Sequence, residues 1–379
     1  MMSFEKIDRF LDGMPERGLP ACSLLVTHKG KTVYNHSAGY SDLEKTKPAN
    51  PDDLYWVCSI TKVTTCVAAM QLVESGKLRL EDPVSKYLPA YANLRVRGAD
   101  KVSSYPAKNA MTVEHLFTMT GGLGYGIKDG PVWEARKNRQ ASTIEIVNSF
   151  VEVPLFSEPG THFRYSLCHD VLAAVVEVVS GMRFADYVKE NILDPLDMKD
   201  TGFHLPPEKQ DRMTTMYRYT HGLAVSEPIP CENPYRLTEN YDSGGAGLYT
   251  SPADQIKMLT ALACGGKAPS GRQILRPETI ALMGKNRLCD TARPDFEPHR
   301  FYGYGWGLCC RAHVNPNISF SPTAPGEFGW DGATGSFALV DPTNEIAMYF
   351  GLHIFNCLYS YYNVHWRLRD MVYEILKEQ

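Results

Sequence analysis

Residues 58–66 read CSITKVTTC and lead into VAAMQLVESG, a stretch with the composition of a buried helix. Ser59 and Lys62 stand three apart, so on a helix they share one face. That face points into whatever the helix packs against, and a lysine turned inward needs a reason. Serine is a weak nucleophile until a base takes its proton, and lysine is such a base once burial destabilises its ammonium. The first turn of a helix also leaves backbone N–H groups unpaired, where an oxyanion can be held. A chain of this size contains about one Ser-x-x-Lys by chance, so the pattern needs partners elsewhere.

Two other stretches supply them. Residues 163–167 read FRYSL, just ahead of the apolar run DVLAAVVEVVSG. Tyr165 is then a phenol at a helix N-terminus, where the helix dipole favours a negative oxygen, and beside a cation such as Lys62 it could shuttle protons. Residues 329–342 read GWDGATGSFALVDP. There a glycine-flanked turn enters a strand, so the backbone of Gly332 and Ala333 can come close to a ligand.

Bulk properties narrow the class. The chain has 379 residues, 44% hydrophobic and 22% charged, with a formal net charge of −4. That length favours two lobes. The mild acidity and the lack of any lysine or arginine run argue against nucleic-acid and membrane-surface partners. MMSFEKIDRFLDGMPERG lacks the basic start, apolar core and cleavage site of a secretory signal; Phe4, Ile7, Phe10 and Leu11 give it helical spacing up to Gly13. No apolar run reaches the roughly 18–20 residues of a membrane span. The expectation is a cytoplasmic protein, monomer or homodimer, with a small molecule as its partner. Ten cysteines are scattered with no C-x-x-C pair and no cysteine–histidine grouping at zinc-ligand spacing. They read as free buried thiols, with Cys309–Cys310 the one pair to check, and no metal or cofactor is expected.

Along the chain, ACSLLVTHKGKTVYNHSAGYSD reads as two strands around a turn at Lys29–Gly30. The helix of Ser59 and Lys62 closes near Ser75–Gly76. Thr112 is placed to cap a helix, Gly181 to end one, and Ser251–Pro252 to start another. SFALV and EIAMYFGL are strands around the turn at 341–344, and an amphipathic helix with Trp366, Leu368, Met371, Val372, Ile375 and Leu376 ends the chain. Strands and helix, a helical middle, then strands and helix again imply one lobe built from residues 1–78 and 236–379, a helical lobe from 79–235, and a cleft between them.

The set SITK, YSL and WDGATG, with VCSITKVTTCVAAMQLVESGKLRLEDPVSKYLP, MTVEHLFTMTGGL and GGAGLYTSPADQIKML around it, resembles the serine β-lactamase and penicillin-binding-protein superfamily. Its nearest branch is that of the class C β-lactamase-like (family VIII) esterases. The similar fragments run from about residue 20 to 350 in the family's order. The resemblance implies an α+β fold of the β-lactamase/transpeptidase type, an antiparallel sheet flanked by helices with an inserted helical lobe. It implies Ser59 as acylated nucleophile, Lys62 as its proton acceptor, Tyr165 as base or proton shuttle, and the N–H groups of Ser59 and Ala333 as oxyanion hole.

Two positions depart from that pattern. The second motif ends in Leu167 where the family usually has asparagine, and the third begins with Trp330 and Asp331 where β-lactamases have a cation. Loss of the cation removes an anion clamp and Asp331 adds repulsion, so penicillins and peptides with a free carboxylate are expected to be poor substrates. Trp330, Asp331, Gly332, Leu167 and Tyr125 are the expected substrate contacts. Of Tyr55, Trp56, Tyr302, Tyr304 and Trp306, most belong to general packing. His115 and His169 suggest a histidine triad, but no G-x-S-x-G is present. Cys58 faces about 100° away from Ser59 on a helix. The expected activity is a carboxylesterase on small or medium neutral esters. Alternatives are transfer to an alcohol or amine, a D-amino-acid peptidase or amidase, and a ligand sensor that acylates once.

Overall fold

The computed structural model describes residues 3–126, 130–221, 223–296 and 301–378. Seven strands form one antiparallel sheet. They are β1 (Ala21–His28), β2 (Lys31–Gly39), β3 (Tyr304–Gly307), β4 (Cys310–His313), β5 (Phe328–Asp331), β6 (Phe337–Asp341) and β7 (Ile346–Gly351). Their order across the sheet is β2-β1-β7-β6-β5-β4-β3, so both ends of the chain meet at the β1–β7 pair. The expected hairpins are present. Lys29 (φ 52°) and Gly30 (φ 74°) are both left-handed, the twist that a two-residue turn between strands requires.

Side chains alternate across the sheet. Leu24, Val26, Leu339, Met348 and Phe350 face α1 (Glu5–Asp12) and the C-terminal helix, while Leu25, Ala338, Val340, Ala347 and Tyr349 face the opposite core. With both faces covered, the central strands are apolar along their whole length. On the second face lie α2 (Thr61–Glu74) and, behind it, α3 (Cys168–Ser180); α4 (Pro252–Ala263) packs there too, and α5 (His365–Lys377) is the C-terminal helix. The expected caps hold. Ser251 accepts the Asp254 N–H with Pro252 at the first helical position, and Gly181 ends α3 at φ 71°. This is the α+β arrangement, an antiparallel sheet flanked by helices, that the resemblance implies.

The middle of the chain is mainly helical and irregular, but not wholly. Met216–Thr220 and Val225–Ile229 pair with each other, and the first also pairs with Ile354–Phe355 from the C-terminal part. Tyr55–Trp56 pairs with Tyr249–Thr250 and brings the chain to the start of α2. Among the described residues no helix is long and apolar enough to cross a membrane.

His353 locks this entry segment. The Trp56 N–H donates to its Nε2 at 3.2 Å, and Nδ1 lies 2.8 Å from Thr214 Oγ1. Only a neutral ring can accept at Nε2, and burial pushes this histidine down to about 4. Its folded value lies below the unfolded one near 6.5, so the stability it contributes is present above pH 6.5 and is lost as pH falls toward 4. The loss is on the order of 3 kcal/mol. Urea midpoints measured from pH 7 to 4 should therefore fall steeply in the native chain and less steeply in His353→Gln; parallel curves would show that this ring is not the acid-sensitive element.

Candidate active site

Ser59 lies in a tight turn, Cys58–Ile60, that runs into α2, and Lys62 is the second residue of that helix. Cys58 has a left-handed φ of 46°, a strained conformation for a residue with a side chain. Ser59 stays 8% exposed and Lys62 is wholly buried. Lys62 Nζ donates to Ser59 Oγ at 3.2 Å, to Tyr125 Oη at 3.3 Å and to the Gly245 carbonyl at 2.8 Å. No carboxylate lies within ion-pair distance of it among the described residues. The sequence spacing brought serine and lysine together correctly.

The partners of Lys62 are held by two features that looked unrelated in the sequence. The threonines of α2 hook the glycine-rich segment 244–248: Thr65 Oγ1 donates to the Gly244 carbonyl at 2.7 Å, and Thr61 Oγ1 accepts the Leu248 N–H at 3.1 Å. That segment lies flat on α3. A Cβ on Gly244 would stand 2.4 Å from the His169 carbonyl, and one on Gly245 2.4 Å from Asp170 Oδ2. Asp170, buried at the start of α3, accepts from Tyr241 Oη and Ser243 Oγ, both at 2.6 Å. Sequence reasoning missed Asp170, whose only local signal is an acidic residue in the first turn of an apolar helix.

Tyr165 borders the same cleft as Ser59, but its hydroxyl is not among the hydrogen-bond partners of Lys62. Lys62 Nζ sits over the ring, 4.7 Å from its centroid, and the phenol oxygen accepts the Trp330 indole N–H at 2.9 Å. The hydroxyl beside the lysine belongs to Tyr125, expected only as a substrate contact, whose ring stacks on Tyr165 at 5.8 Å. Burial pushes Tyr125 well above the usual phenol range, so it remains a neutral hydroxyl.

The end of β5 closes the other side. A Cβ on Gly332 would meet the Val57 carbonyl at 2.5 Å, so only glycine lets this strand approach the backbone ahead of Ser59. Thr334 Oγ1 donates to the Trp56 carbonyl at 3.0 Å, and Tyr361 Oη to the Gly332 carbonyl at 2.7 Å. Ala333 lines the cleft with Ser59. Neither the Ser59 nor the Ala333 N–H has a hydrogen-bond acceptor among the described residues. The cleft, about 460 Å³, is walled by aromatic rings. Trp330 and Tyr125 were expected there; Phe163, Tyr235, Phe301 and Tyr362 were not. No lysine or arginine lines it among the described residues.

Several expectations need correction. Leu167 does not reach the cleft: it is 5% exposed, precedes the first turn of α3 and faces a separate cavity with Leu123 and Phe156. Asp331 borders the cleft, yet its Oδ1 lies 3.5 Å from His365 Nδ1 and 3.9 Å from Arg311 Nη1. Its charge is therefore met from behind the strand, which weakens both the repulsion and the amine-anchor readings. Tyr55, Trp56, Tyr304 and Trp306 are buried packing, and Tyr302 is exposed. His115 is a helix cap, exchanging hydrogen bonds with Thr112. Cys58 is fully buried and pushed up to about 12, mainly by that burial, so its thiol is no rival to Ser59.

The Trp330 N–H can be removed without removing the aromatic wall. Trp330→Phe should lower kcat on a p-nitrophenyl ester about tenfold, the worth of one hydrogen bond to a working oxygen, with little change in KM. An unchanged kcat would mean that the bond to Tyr165 does no catalytic work.

The sequence profile of the Beta-lactamase family matches residues 7–360. Esterase EstB of Burkholderia gladioli is 31% identical over 360 residues, which cover 89% of this chain and 86% of that one. The solved structure of EstCE1, described as a hydrolase with promiscuous acyltransferase activity, is 25% identical with a TM-score of 0.81 over 97% of this chain and 98% of its own. Simvastatin Synthase (LovD) from Aspergillus terreus shares the fold, with a TM-score of 0.84 at 19% identity over 98% of both chains. With a serine and a buried lysine joined at the start of a helix, an aromatic cleft above them and this likeness along nearly its whole length, the chain belongs to the Beta-lactamase family of serine hydrolases.

Proposed function

We propose that this protein is a carboxylesterase that forms an acyl-enzyme on Ser59 from small or medium neutral esters. The observation that carries the reading is the 3.2 Å contact of Ser59 Oγ with a buried lysine, at the floor of an aromatic cleft that no described cation lines. A neutral Lys62 amine has two N–H groups and one lone pair. The Gly245 carbonyl and the Tyr125 hydroxyl take the two N–H groups, which leaves the lone pair aimed at the Ser59 O–H. Lys62 accepts that proton as Ser59 Oγ bonds to the ester carbonyl carbon, and the oxyanion takes the N–H groups of Ser59 and Ala333. Tyr165 passes a proton to the leaving alkoxide and draws one from the water that attacks the acyl group, and Lys62 returns its proton to Ser59 Oγ as the acid departs. The Trp330 N–H stabilises negative charge on the Tyr165 oxygen during these transfers.

Neutral esters are favoured because an anionic substrate finds no partner charge in the described wall. A peptidase or amidase with Asp331 as amine anchor is disfavoured, since that carboxylate already faces Arg311 and His365. Acyl transfer remains the second reading, supported by the apolar cleft and by the activity that EstCE1 carries in its description.

The test compares a neutral p-nitrophenyl ester, an ester of the same size with a free carboxylate, and a penicillin. The neutral ester should exceed both others in kcat/KM by at least about a hundredfold, the worth of one charge-assisted contact. Comparable turnover of the penicillin would overturn the reading. Adding an alcohol separates hydrolysis from transfer: a hydrolase keeps releasing mainly free acid, whereas a transferase makes the new ester at its expense.

A further inference from the structure

No stretch of the sequence spaces cysteine and histidine for a metal, yet the fold gathers them. Cys66 stands on α2 one turn after Lys62, His169 is the second residue of α3, and Cys310 opens β4. All three are fully enclosed. The two sulfurs and a ring nitrogen of His169 lie within 4.8 Å of one another, with Cys66 Sγ 3.9 Å from His169 Nε2. The Cys309 thiol lies beside those of Cys66 and Cys310 but outside the group of three.

The core leaves this histidine unsatisfied. Its Nε2 lies 3.2 Å from the Phe117 carbonyl, an oxygen that also accepts the Trp306 indole N–H at 2.8 Å. Its Nδ1 is buried with no partner, which is costly for an imidazole in an apolar interior.

We propose that Cys66, Cys310 and His169 bind one thiophilic divalent cation such as Zn²⁺, with the neighbouring Cys309 thiol the nearest candidate to complete its shell. Donors around tetrahedral zinc stand about 3.5–3.8 Å apart, so no separation among the three need close by more than about 1 Å. Two thiolates cancel the charge of the ion, which a sealed core requires. Soft sulfur donors select zinc or cobalt over magnesium or calcium. Such an ion ties the helix of Ser59 and Lys62 to α3 and to the sheet. Because the site is enclosed, the ion enters as the chain folds.

The full chain would be produced in zinc-supplemented medium, purified with a reductant, and its metal measured by mass spectrometry; a second preparation would be grown with cobalt. The expected result is about one zinc per chain, and in the cobalt form a thiolate-to-metal charge-transfer band in the near ultraviolet. Cys310→Ser and His169→Ala should each lose most of the metal, while Cys231→Ser, at an exposed thiol, should keep it. Wild-type protein with less than about a tenth of an equivalent and no cobalt band overturns the proposal, whether its thiols are free or oxidised. So does zinc that persists in a Cys310→Ser/His169→Ala double variant. Should the variants fail to fold, the cobalt spectrum of the wild-type chain still decides.

Discussion

One buried amine organises the site. Lys62 Nζ has three hydrogen-bond partners, Ser59 Oγ, Tyr125 Oη and the Gly245 carbonyl, and no described carboxylate to neutralise it. A lysine removed from water without an anion is held at a cost, so the surroundings must offer oxygens at fixed places. The threonines of α2, the close-packed Gly244 and Gly245, and Asp170 with Tyr241 and Ser243 all serve to keep those oxygens where the amine can reach them. Polar residues that dilute an apolar helix in the sequence thus become the fastening of its functional end.

The sheet supplies the opposite wall by a different means. Gly332 lets β5 approach the Val57 carbonyl, and Thr334 and Tyr361 pin the turn that follows. Behind the strand, Arg311 pairs with Glu327 and lies near Asp331, all three buried. Breaking a buried pair of this kind strands a charge in the core, so the cluster constrains where β5 can lie. The geometry of the site depends on long-range packing as much as on the motifs themselves.

That division explains what could be read in advance. The pairing of Ser59 with Lys62 follows from three-residue spacing, and the hairpin at Lys29–Gly30 and the caps at Thr112, Ser251 and Gly181 follow from local backbone chemistry. All of these were legible. Tyr125 beside Lys62 was not, because 63 residues separate them and only the tertiary fold joins them. Leu167 was placed in the cleft by its position in a motif, whereas the turn into α3 sends its side chain to another cavity. Phe163, Phe301 and Tyr362 come to one wall from three distant segments, with no shared period to announce them. The gathering of Cys66, His169 and Cys310 is hidden in the same way, since its members are scattered over α2, α3 and β4.

The central claim is that Ser59 carries the acyl group and that Lys62 makes it able to do so. The most direct measurement is rapid-quench mass spectrometry of the protein mixed with a neutral p-nitrophenyl ester, with peptide mapping of the modified residue. The account predicts an added acyl mass on the peptide that contains Ser59, formed in the native chain, absent in Ser59→Ala and at least about a thousandfold slower in Lys62→Met. An acyl group on any other residue, or equal acylation rates in the native chain and Lys62→Met, would contradict it.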